Sequence, residues 1–408
     1  MTERPGGYAL NATDKTQDAR PIAPGTRIKG RGARSNLSGR FEAYQREAFD
    51  DGWGAYTGDG WGEIAESGAE AGAGNVAGTE AGDADVIRPP EQMATVVMKD
   101  ASRSIVSTNS SPDIAFDQAI NPYRGCEHGC VYCYARPSHA YWGYSPGLDF
   151  ESMIFSKPDG ARLLEAFFNR PRYEPKPIVI GANTDAWQPV ERRLELTRDI
   201  LKVFARYKHP VSFITKSALV LRDLDILGPM AEQGLAKGAI SVTTLDNRLA
   251  RDMEPRAAAP HRRLKMIEGL SAAGLPVTVM MAPIIPALND HEIELLLKAA
   301  ADAGATGAGY VLLRLPMEIK DLFREWLAEK RPDSAAHVLS LLRNMRGGRD
   351  YDHSWGRRGR GQGPYAELIA KRFRAAMRRH GYASERRPLD FTRFERPAGN
   401  AQQPSLFE

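Results

Sequence analysis

Residues 119–133 read AINPYRGCEHGCVYC and hold all three cysteines of the 408-residue chain. The first five residues favour a short strand, and Cys126, Cys130 and Cys133 follow it in the pattern C-x-x-x-C-x-x-C. An odd number of cysteines in a long chain argues against a framework of disulfides. The spacing therefore predicts metal binding or thiol chemistry just after a strand.

Short β-branched runs alternate with longer helical patterns from about residue 93 to about residue 315. The predicted strands are 119–123, 177–181, 211–215, 239–243, 277–281 and 310–314. The helices between them are predicted near 161–169, 191–207, 222–233, 260–273 and 291–303. Strands that are apolar on both faces and joined by crossover helices predict an α/β fold with a parallel sheet. Six units are too few for a closed eight-stranded barrel, so an open partial barrel and a doubly wound sheet both remain. In either fold, ligands bind at the carboxyl ends of the strands.

The segments on either side of this core differ from it in composition. Residues 1–92 hold few apolar clusters, and we expect them to form a disordered N-terminal arm. A helical C-terminal extension is predicted over 316–384, with helices over 316–342 and 363–380. The Pro-rich and polar residues 385–408 predict a flexible tail.

Charge is balanced over the whole chain but uneven locally. Lys and Arg number 55 against 51 Asp and Glu, so no general field for polyanions follows. Residues 343–380 hold eleven Lys and Arg against three Asp and Glu, with Tyr351, Trp355 and Tyr365 interspersed. This basic extension is a candidate for phosphate contacts and base stacking, and a solvated helix and loop is the alternative. The Arg-rich stretch 27–40 is interpreted as solvated and is given no role.

The sequence contains no run of about eighteen apolar residues, so no membrane-spanning helix is predicted. The start of the sequence, Met1–Gly7, lacks the apolar stretch of a secretory signal. The expected location is therefore the cytoplasm.

The number of cysteines bears on the kind of metal site. A cubane cluster of four irons and four sulfides is usually held by four cysteine thiolates. Only three are present here, so in such a cluster one iron would lack a protein thiolate. That iron can bind a substrate or cofactor through nitrogen and oxygen, which distinguishes a catalytic cluster from a closed electron carrier.

The three cysteines, with the aromatic Tyr132 directly before the third, resemble the motif of the radical S-adenosylmethionine (radical SAM) superfamily. The resemblance implies a [4Fe-4S] cluster held by Cys126, Cys130 and Cys133, and SAM bound to the open iron through its amino and carboxylate groups. It implies reductive cleavage of SAM to methionine and a 5′-deoxyadenosyl radical, with an electron from a flavodoxin- or ferredoxin-type donor. The implied fold, over about residues 115–315, is a partial (β/α)6 barrel of the TIM type, which agrees with the six units.

Further segments resemble the spore-photoproduct-lyase-like branch of that superfamily, and a bacterial group within it often labelled DNA-repair-photolyase-like. They are 121–125 (NPYRG), 215–217 (TKS) with 221–223 (LRD), and 241–246 (SVTTLD). The likeness implies that six residues contact SAM: Tyr132, Asn183, Thr184, Asp185, Lys216 and Ser241. The alternative for each is an ordinary role in capping a helix or closing a loop.

Two alternatives to this interpretation remain. The cysteines could instead bind zinc, with His128 or His139 as the fourth ligand, in a nucleic-acid-binding protein without catalysis. Within radical SAM chemistry, spore photoproduct lyase uses an additional cysteine as hydrogen donor, whereas every cysteine here is already a proposed ligand. The same repair reaction is therefore not expected, and DNA, RNA, a peptide or a small molecule remain as substrates.

The C-terminal residues Gln403–Phe407 resemble the short Q-x-S-L-F peptide by which bacterial repair proteins dock into the replication sliding clamp. A Leu-Phe pair on a flexible tail is suited to an apolar pocket. We therefore expect a sliding-clamp contact through Gln403, Leu406 and Phe407.

Overall fold

The computed structural model describes residues 30–37, 39–41, 93–114, 116–383 and 388–397. The strands of these ranges are β1 Val96–Lys99, β2 Val106–Thr108, β3 Gln118–Ile120, β4 Tyr123–Arg124, β5 Met153–Ser156, β6 Ile178–Ile180, β7 Val211–Thr215, β8 Ala236–Ser241, β9 Val277–Ile284 and β10 Gly307–Leu312. The α-helices are α1 Asp149–Ser152, α2 Gly160–Phe168, α3 Glu191–Leu194, α4 Leu196–Arg206, α5 Leu224–Glu232, α6 Asn247–Met253, α7 Pro260–Ala272, α8 Ile293–Asp302, α9 Ile319–Lys330, α10 Pro332–Asn344 and α11 Gly363–Arg379. Short 3-10 helices span Arg136–Trp142, Ala218–Asp223 and Asp290–Glu292.

The larger sheet has the strand order β10-β9-β8-β7-β6-β3-β2. All neighbours are parallel except β2, which pairs antiparallel with β3 at one edge. Because the spatial order follows the chain order, right-handed crossovers all advance in one direction and place their helices on the same face. That winding is typical of a barrel, whereas a doubly wound sheet reverses direction. In the part of the chain that the structure describes, the sheet stays open between β10 and β2. The predicted partial (β/α)6 barrel is confirmed.

Burial alternates along the parallel strands. In β9, Val277, Val279 and Met281 are buried, whereas Thr278 and Met280 are only half-buried. One face of the sheet is therefore fully packed, and the opposite face is partly open. This differs from the expectation that both faces are equally covered, because an incomplete barrel leaves space along its inner wall.

A second, smaller sheet of order β1-β5-β4 supports the segment that carries the cysteines. The predicted strand 119–123 is divided between the two sheets, because Pro122 has no N–H to donate to a ladder. The chain thus leaves the large sheet after Ile120 and enters the small one at Tyr123. This step delivers the next residues to the carboxyl edge of the barrel.

Residues 30–37 and 39–41 of the predicted N-terminal arm 1–92 are described by the structure and contact the core. Arg31 is buried, and its Nη1 donates a hydrogen bond of 2.5 Å to the carbonyl oxygen of Glu151. The low apolar content of this stretch gave no signal, because its contacts are made by backbone groups and arginine.

Residues 388–397 of the predicted flexible tail 385–408 are described by the structure and contact the core. The ring of Phe394 lies 5.9 Å from that of Phe168, edge to face, and Arg396 donates a hydrogen bond of 3.0 Å to the carbonyl of Phe168. Phe394 and Arg396 thus anchor this segment to the end of α2. The residues expected to contact a sliding clamp, Gln403, Leu406 and Phe407, lie outside the described residues.

The C-terminal extension contains three helices, α9 to α11. The helix predicted over 316–342 is broken at Pro332, which begins α10, because the residue before a proline disfavours the helical conformation. Helix α11 packs against α8, and its Arg372 forms an ion pair of 2.6 Å with Glu294. Across the described ranges, we find no helix with the length and hydropathy to cross a membrane.

Candidate active site

The cysteine loop, residues 125–133, lies between β4 and the first 3-10 helix. Gly125 and Gly129 have φ values of 76° and 66°, in the left-handed region that favours glycine. A Cβ atom on Gly125 would lie 2.9 Å from the carbonyl oxygen of Phe150, so the loop passes closely over that backbone. The amide of Cys126 donates a hydrogen bond of 2.8 Å to the same oxygen. These two glycines let the loop fold back on itself at the carboxyl edge of the sheet.

The three cysteines of the loop are free thiols, of which Cys126 and Cys130 are buried and Cys133 is half-buried. Burial raises the pKa of Cys126, and nearby negative charges, including the other two cysteines, raise it further. Burial also raises the pKa of Cys130 to about 12, against the opposite effect of Lys216. Cys126 and Cys130 therefore keep their protons until a metal displaces them.

The donor set distinguishes between a cluster and a single ion. Within the described ranges, no group of three or more His, Cys, Asp or Glu side chains converges as one metal ion would require. The Nδ1 atom of His128 lies 3.4 Å from Asp185, and His139 lies among the rings of Tyr144 and Phe150. The zinc alternative therefore gains no support from the geometry. In a four-iron cluster each thiolate binds a different iron, so three sulfur donors from one loop fit it.

A cluster of buried polar side chains surrounds the carboxylate of Glu254. We call Tyr132, Thr243, Glu254 and Arg263 the floor of the site. The hydroxyl of Tyr132 donates to Glu254, as do Thr243 at 2.7 Å and Arg263. Burial would raise the pKa of Glu254, but the positive charges of Arg263 and Lys216 lower it to about 2. Glu254 is therefore an anion that fixes the side chain of Tyr132, a residue of the cysteine loop.

Lys216 follows β7, and its Nζ lies 5.9 Å from the centroid of the Tyr132 ring. Burial acts to lower the pKa of Lys216, but electrostatic interaction with Cys130 and Glu254 outweighs this effect and raises it. Its ammonium group therefore stays protonated beside the cysteine loop. Such a group suits the carboxylate of a ligand.

Ser241 ends β8 and is buried, with its carbonyl oxygen accepting a hydrogen bond of 3.1 Å from Arg263. Arg263 also donates to Glu254, which in turn accepts from Tyr132. The structure thus brings together three of the residues expected to contact SAM, Tyr132, Lys216 and Ser241.

Asn183 and Thr184 follow β6 at the same edge but differ in how their side chains are used. Asn183 is exposed, and only its backbone amide is held, by the side-chain oxygen of Asn121 at 2.9 Å. The hydroxyl of the buried Thr184 donates to the carbonyl of Tyr123 at 2.7 Å. Asn183 thus presents its carboxamide to solvent, whereas Thr184 fastens β6 to β4.

Asp185, the next residue, connects the cysteine loop to the end of β7. Its carboxylate accepts hydrogen bonds from the hydroxyl of Thr215 at 2.7 Å and the amide of Lys216 at 2.8 Å, and it faces His128. Its backbone also hydrogen bonds to Cys126, which acts to lower the pKa of that thiol. Asp185 therefore positions both the cysteine loop and Lys216.

A surface of half-buried arginines and partly exposed aromatic rings borders the cysteine loop next to Cys133. Arg314, which follows β10, lies over the ring of Tyr134 at 5.2 Å and is 3.5 Å from the hydroxyl of Tyr351. Arg358 lies 4.0 Å over the ring of Trp355. Tyr134 and Trp355 are 47% and 55% exposed. We call Tyr134, Arg314, Tyr351, Trp355 and Arg358 the aromatic rim.

Glu254 and Arg263 were not among the site residues predicted from the sequence. Charged residues usually lie at the surface, so nothing in the pattern marks these two as buried. The available signal was the pairing of an acidic residue in the turn after α6 with an arginine in the first turn of α7. Tyr365, named with the basic extension, donates its hydroxyl to Asp290 at 2.5 Å and is not part of the rim.

Residues 120–300 match the profile of the Radical SAM superfamily. An uncharacterized protein of Mycobacterium tuberculosis is 35% identical over 250 residues, which are 61% of this chain and 73% of the relative. An uncharacterized protein of Methanocaldococcus jannaschii is 29% identical over 173 residues, 42% of this chain and 62% of the relative.

The fold also resembles solved structures of spore photoproduct lyase. A mutant of that enzyme with bound AdoMet and dinucleoside spore photoproduct has a TM-score of 0.50 and 17% identity, over 71% of this chain and 81% of the other. The enzyme complexed with dinucleoside spore photoproduct has a TM-score of 0.50 and 16% identity, over 70% and 80%. At this identity the likeness concerns the fold.

The matched profile, the open barrel and the three-cysteine loop at its carboxyl edge together define an enzyme of the radical SAM type. The chain belongs to the radical SAM superfamily.

Proposed function

We propose that this chain holds a [4Fe-4S] cluster through Cys126, Cys130 and Cys133, binds SAM beside it, and acts on nucleic acid. The observation that carries the proposal is the aromatic rim, which begins at the residue directly after Cys133. With cluster and SAM bound, reductive cleavage supplies methionine and a 5′-deoxyadenosyl radical that abstracts hydrogen from the substrate.

The residues of the chain divide between binding SAM and positioning the groups that bind it. Lys216 pairs its ammonium group with the carboxylate of SAM, and the exposed carboxamide of Asn183 is available to the methionyl amine or the ribose. Tyr132 forms a wall of the site. Thr184 and Asp185 act through the backbone that they hold.

Only part of the basic charge in residues 343–380 is available to a substrate. Arg346 is buried and donates to the carbonyl of Leu313 at 2.8 Å, while Arg358 donates to Asp113. Arg349, Arg357 and Arg360, by contrast, are exposed. Lys371, Arg374, Arg378 and Arg379 of α11 are exposed too, but Arg349, Arg357 and Arg360 lie in the loop before α11 and are the candidates for phosphate contacts beside the site.

The loop that carries these arginines is attached to the barrel at the site. The amide of Leu312 donates to the carbonyl of Gly359 at 2.9 Å, so the loop packs against the carboxyl end of β10. A nucleic acid strand along this loop meets phosphate-binding cations and the exposed rings of Tyr134 and Trp355, on which bases stack. It also passes the cysteine loop, which would hold the cluster.

The fold of spore photoproduct lyase, solved with a dinucleoside spore photoproduct, supports a nucleic acid substrate. The three cysteines are all assigned to the cluster, so the reaction differs in its hydrogen donor. We therefore propose DNA repair or modification in general. RNA is the substrate if DNA binding fails, and a peptide or a small molecule is the substrate if no nucleic acid binds.

The test is binding of labelled single-stranded DNA, duplex DNA and RNA across a range of salt concentrations, with full-length protein. The double variant Arg357→Ala/Arg360→Ala should bind more weakly, with a salt slope reduced by about two. The matched control Arg262→Ala/Lys265→Ala removes two exposed charges from α7 and should bind like the parent. Equal weakening in both double variants, or no binding by the parent, would contradict the proposal.

Two partners complete the proposal. A flavodoxin- or ferredoxin-type protein supplies the electron, and Gln403, Leu406 and Phe407 dock into the sliding clamp. Removal of residues 403–408 should abolish retention on immobilised clamp, and unchanged retention would end this part of the proposal.

A further inference from the structure

A segment of the N-terminal arm, residues 31–33, lies directly against the back of the cysteine loop. The amides of Gly32 and Ala33 donate to the two carboxylate oxygens of Glu151 at 2.9 Å and 2.7 Å. The residues 31–33 and Glu151 are all buried. A charged side chain from the end of α1 is therefore held by backbone groups more than a hundred positions earlier in the sequence.

The same carboxylate is connected to the cysteine loop on its other side. Arg136, which is fully buried, donates from Nη2 to Glu151 at 2.5 Å and from Nε to the carbonyl oxygen of Cys130 at 2.9 Å. Breaking a buried charged pair of this kind is strongly unfavourable. Glu151 therefore joins residues 31–33 to the backbone of a cysteine.

Two glycines allow this close approach. A Cβ atom on Gly32 would lie 1.7 Å from the carbonyl oxygen of Gly129, so no larger residue fits without moving the segment. A Cβ atom on Gly129 would lie 2.6 Å from the carboxylate of Glu151. Gly129 directly precedes Cys130, so the contact falls within the cysteine motif itself.

We propose that residues 31–33 and Glu151 form a clamp that holds the cysteine loop in its cluster-binding conformation and slows loss of the cluster. Residues around metal ligands commonly set ligand orientation and metal affinity. The clamp contacts the cysteine loop at Gly129 and, through Arg136, at the carbonyl oxygen of Cys130. Glu151 is therefore a positioning residue. The inference rests on the cluster named in the proposed function and is independent of the substrate.

The test compares full-length Gly32→Ala with the parent and with Gly228→Ala, after anaerobic reconstitution. Gly228 is a matched control because an added Cβ there would meet only the carbonyl of Ala273, at 3.9 Å. Three quantities are measured: the rate of iron release to a chelator, the EPR spectrum of the reduced cluster, and the melting temperature of the metal-free protein. Gly32→Ala should release iron about tenfold faster or more. Its EPR line shape should change, whereas the control should match the parent.

A second variant, Glu151→Gln, replaces one acceptor by a donor that faces the amides of residues 32 and 33, and should act in the same direction. Parental release rates and spectra in Gly32→Ala would overturn the inference. So would faster release that is fully accounted for by an equally lowered melting temperature of the metal-free protein. A parent that binds no iron at all would defeat the proposed function, a result distinct from either of these.

Discussion

The guanidinium group of Arg314 lies 5.2 Å from the ring centroid of Tyr134, the residue that follows Cys133. This contact joins the carboxyl end of β10 to the end of the cysteine motif. It also places the basic loop, through Tyr351, beside the site. The side of the site that faces solvent is therefore both cationic and aromatic, which is the physical basis of the proposed nucleic acid substrate.

Loss of the Arg314 side chain should weaken substrate binding without affecting the cluster. Exposed cation–π contacts contribute about 0.5–1 kcal/mol, so Arg314→Ala should lower oligonucleotide affinity by a few-fold. Arg314→Lys keeps the charge but loses the planar stack of the guanidinium group on the ring. Its oligonucleotide affinity should therefore lie between those of the parent and Arg314→Ala. Fluorescence anisotropy with labelled oligonucleotide measures the change. An affinity unchanged in Arg314→Ala would remove the rim from the account.

Lys216→Gln should impair SAM binding in protein whose iron content is unchanged. The variant removes the cation beside the cysteine loop, and a hydrogen bond to a charged group contributes about 1.5–3 kcal/mol. Affinity for SAM should therefore fall by about tenfold or more, as measured by calorimetry under anaerobic conditions. Lys202→Gln, on the exposed face of α4, is the matched control and should bind SAM normally. Equal SAM affinity in the two variants would mean that Lys216 does not contact SAM.

Much of the barrel could be predicted from the sequence because its strands are apolar and regularly spaced. The strand 211–215 was predicted with its observed bounds, and the cysteine loop lies at the carboxyl edge as expected. The small sheet was missed, because β1 and β4 are short and gain their partners only through the later strand β5. Pairing of this kind depends on tertiary contacts that no local pattern contains.

The polar floor of the site was the less predictable part. Glu254 and Arg263 are buried together, and Asp185, which is predicted to contact SAM, also supports the backbone of Lys216. Glu151 was not considered at all, because its partners lie in an arm that composition alone assigns to disorder. Residue type indicates the chemistry available at a position, but only the fold determines whether a side chain faces ligand or protein.

The pair of Glu254 and Arg263 should dominate the stability of the floor. Glu254→Gln leaves the buried Arg263 without its counter-ion and should cost about 3–5 kcal/mol. The double variant Glu254→Gln/Arg263→Met removes both charges and should be less destabilised than the single change. Urea unfolding of metal-free protein measures each free energy. A double variant as unstable as the sum of two single changes would show that the two charges do not interact.

His209 should make the metal-free protein less stable at acidic pH. It is buried against Phe168, with its ring nitrogens near the hydroxyl of Tyr173 and the carbonyl of Pro210 at 2.8 Å. Burial lowers the pKa of His209 from 6.5 to about 4. Between pH 6.5 and pH 4, His209 binds a proton in the unfolded chain but not in the folded chain. The free energy of unfolding therefore falls as pH decreases from 6.5 towards 4 and is recovered above 6.5.

The expected loss through His209 is at most about 3 kcal/mol. His209→Phe should abolish this component, so the difference in unfolding free energy between parent and variant should change between pH 7 and pH 4. Subtraction of the two curves cancels the other titrating groups. A difference that is constant over this range would show that His209 titrates normally in the folded protein.

The cysteine loop is proposed to support reductive cleavage of SAM. Anaerobically reconstituted protein, given SAM and a strong reductant, should release 5′-deoxyadenosine and methionine, detected by mass spectrometry, and should contain iron and acid-labile sulfide. A variant with Cys126, Cys130 and Cys133 all changed to alanine should give neither product. A colourless parent protein with one bound zinc and no 5′-deoxyadenosine would contradict radical SAM chemistry at this loop.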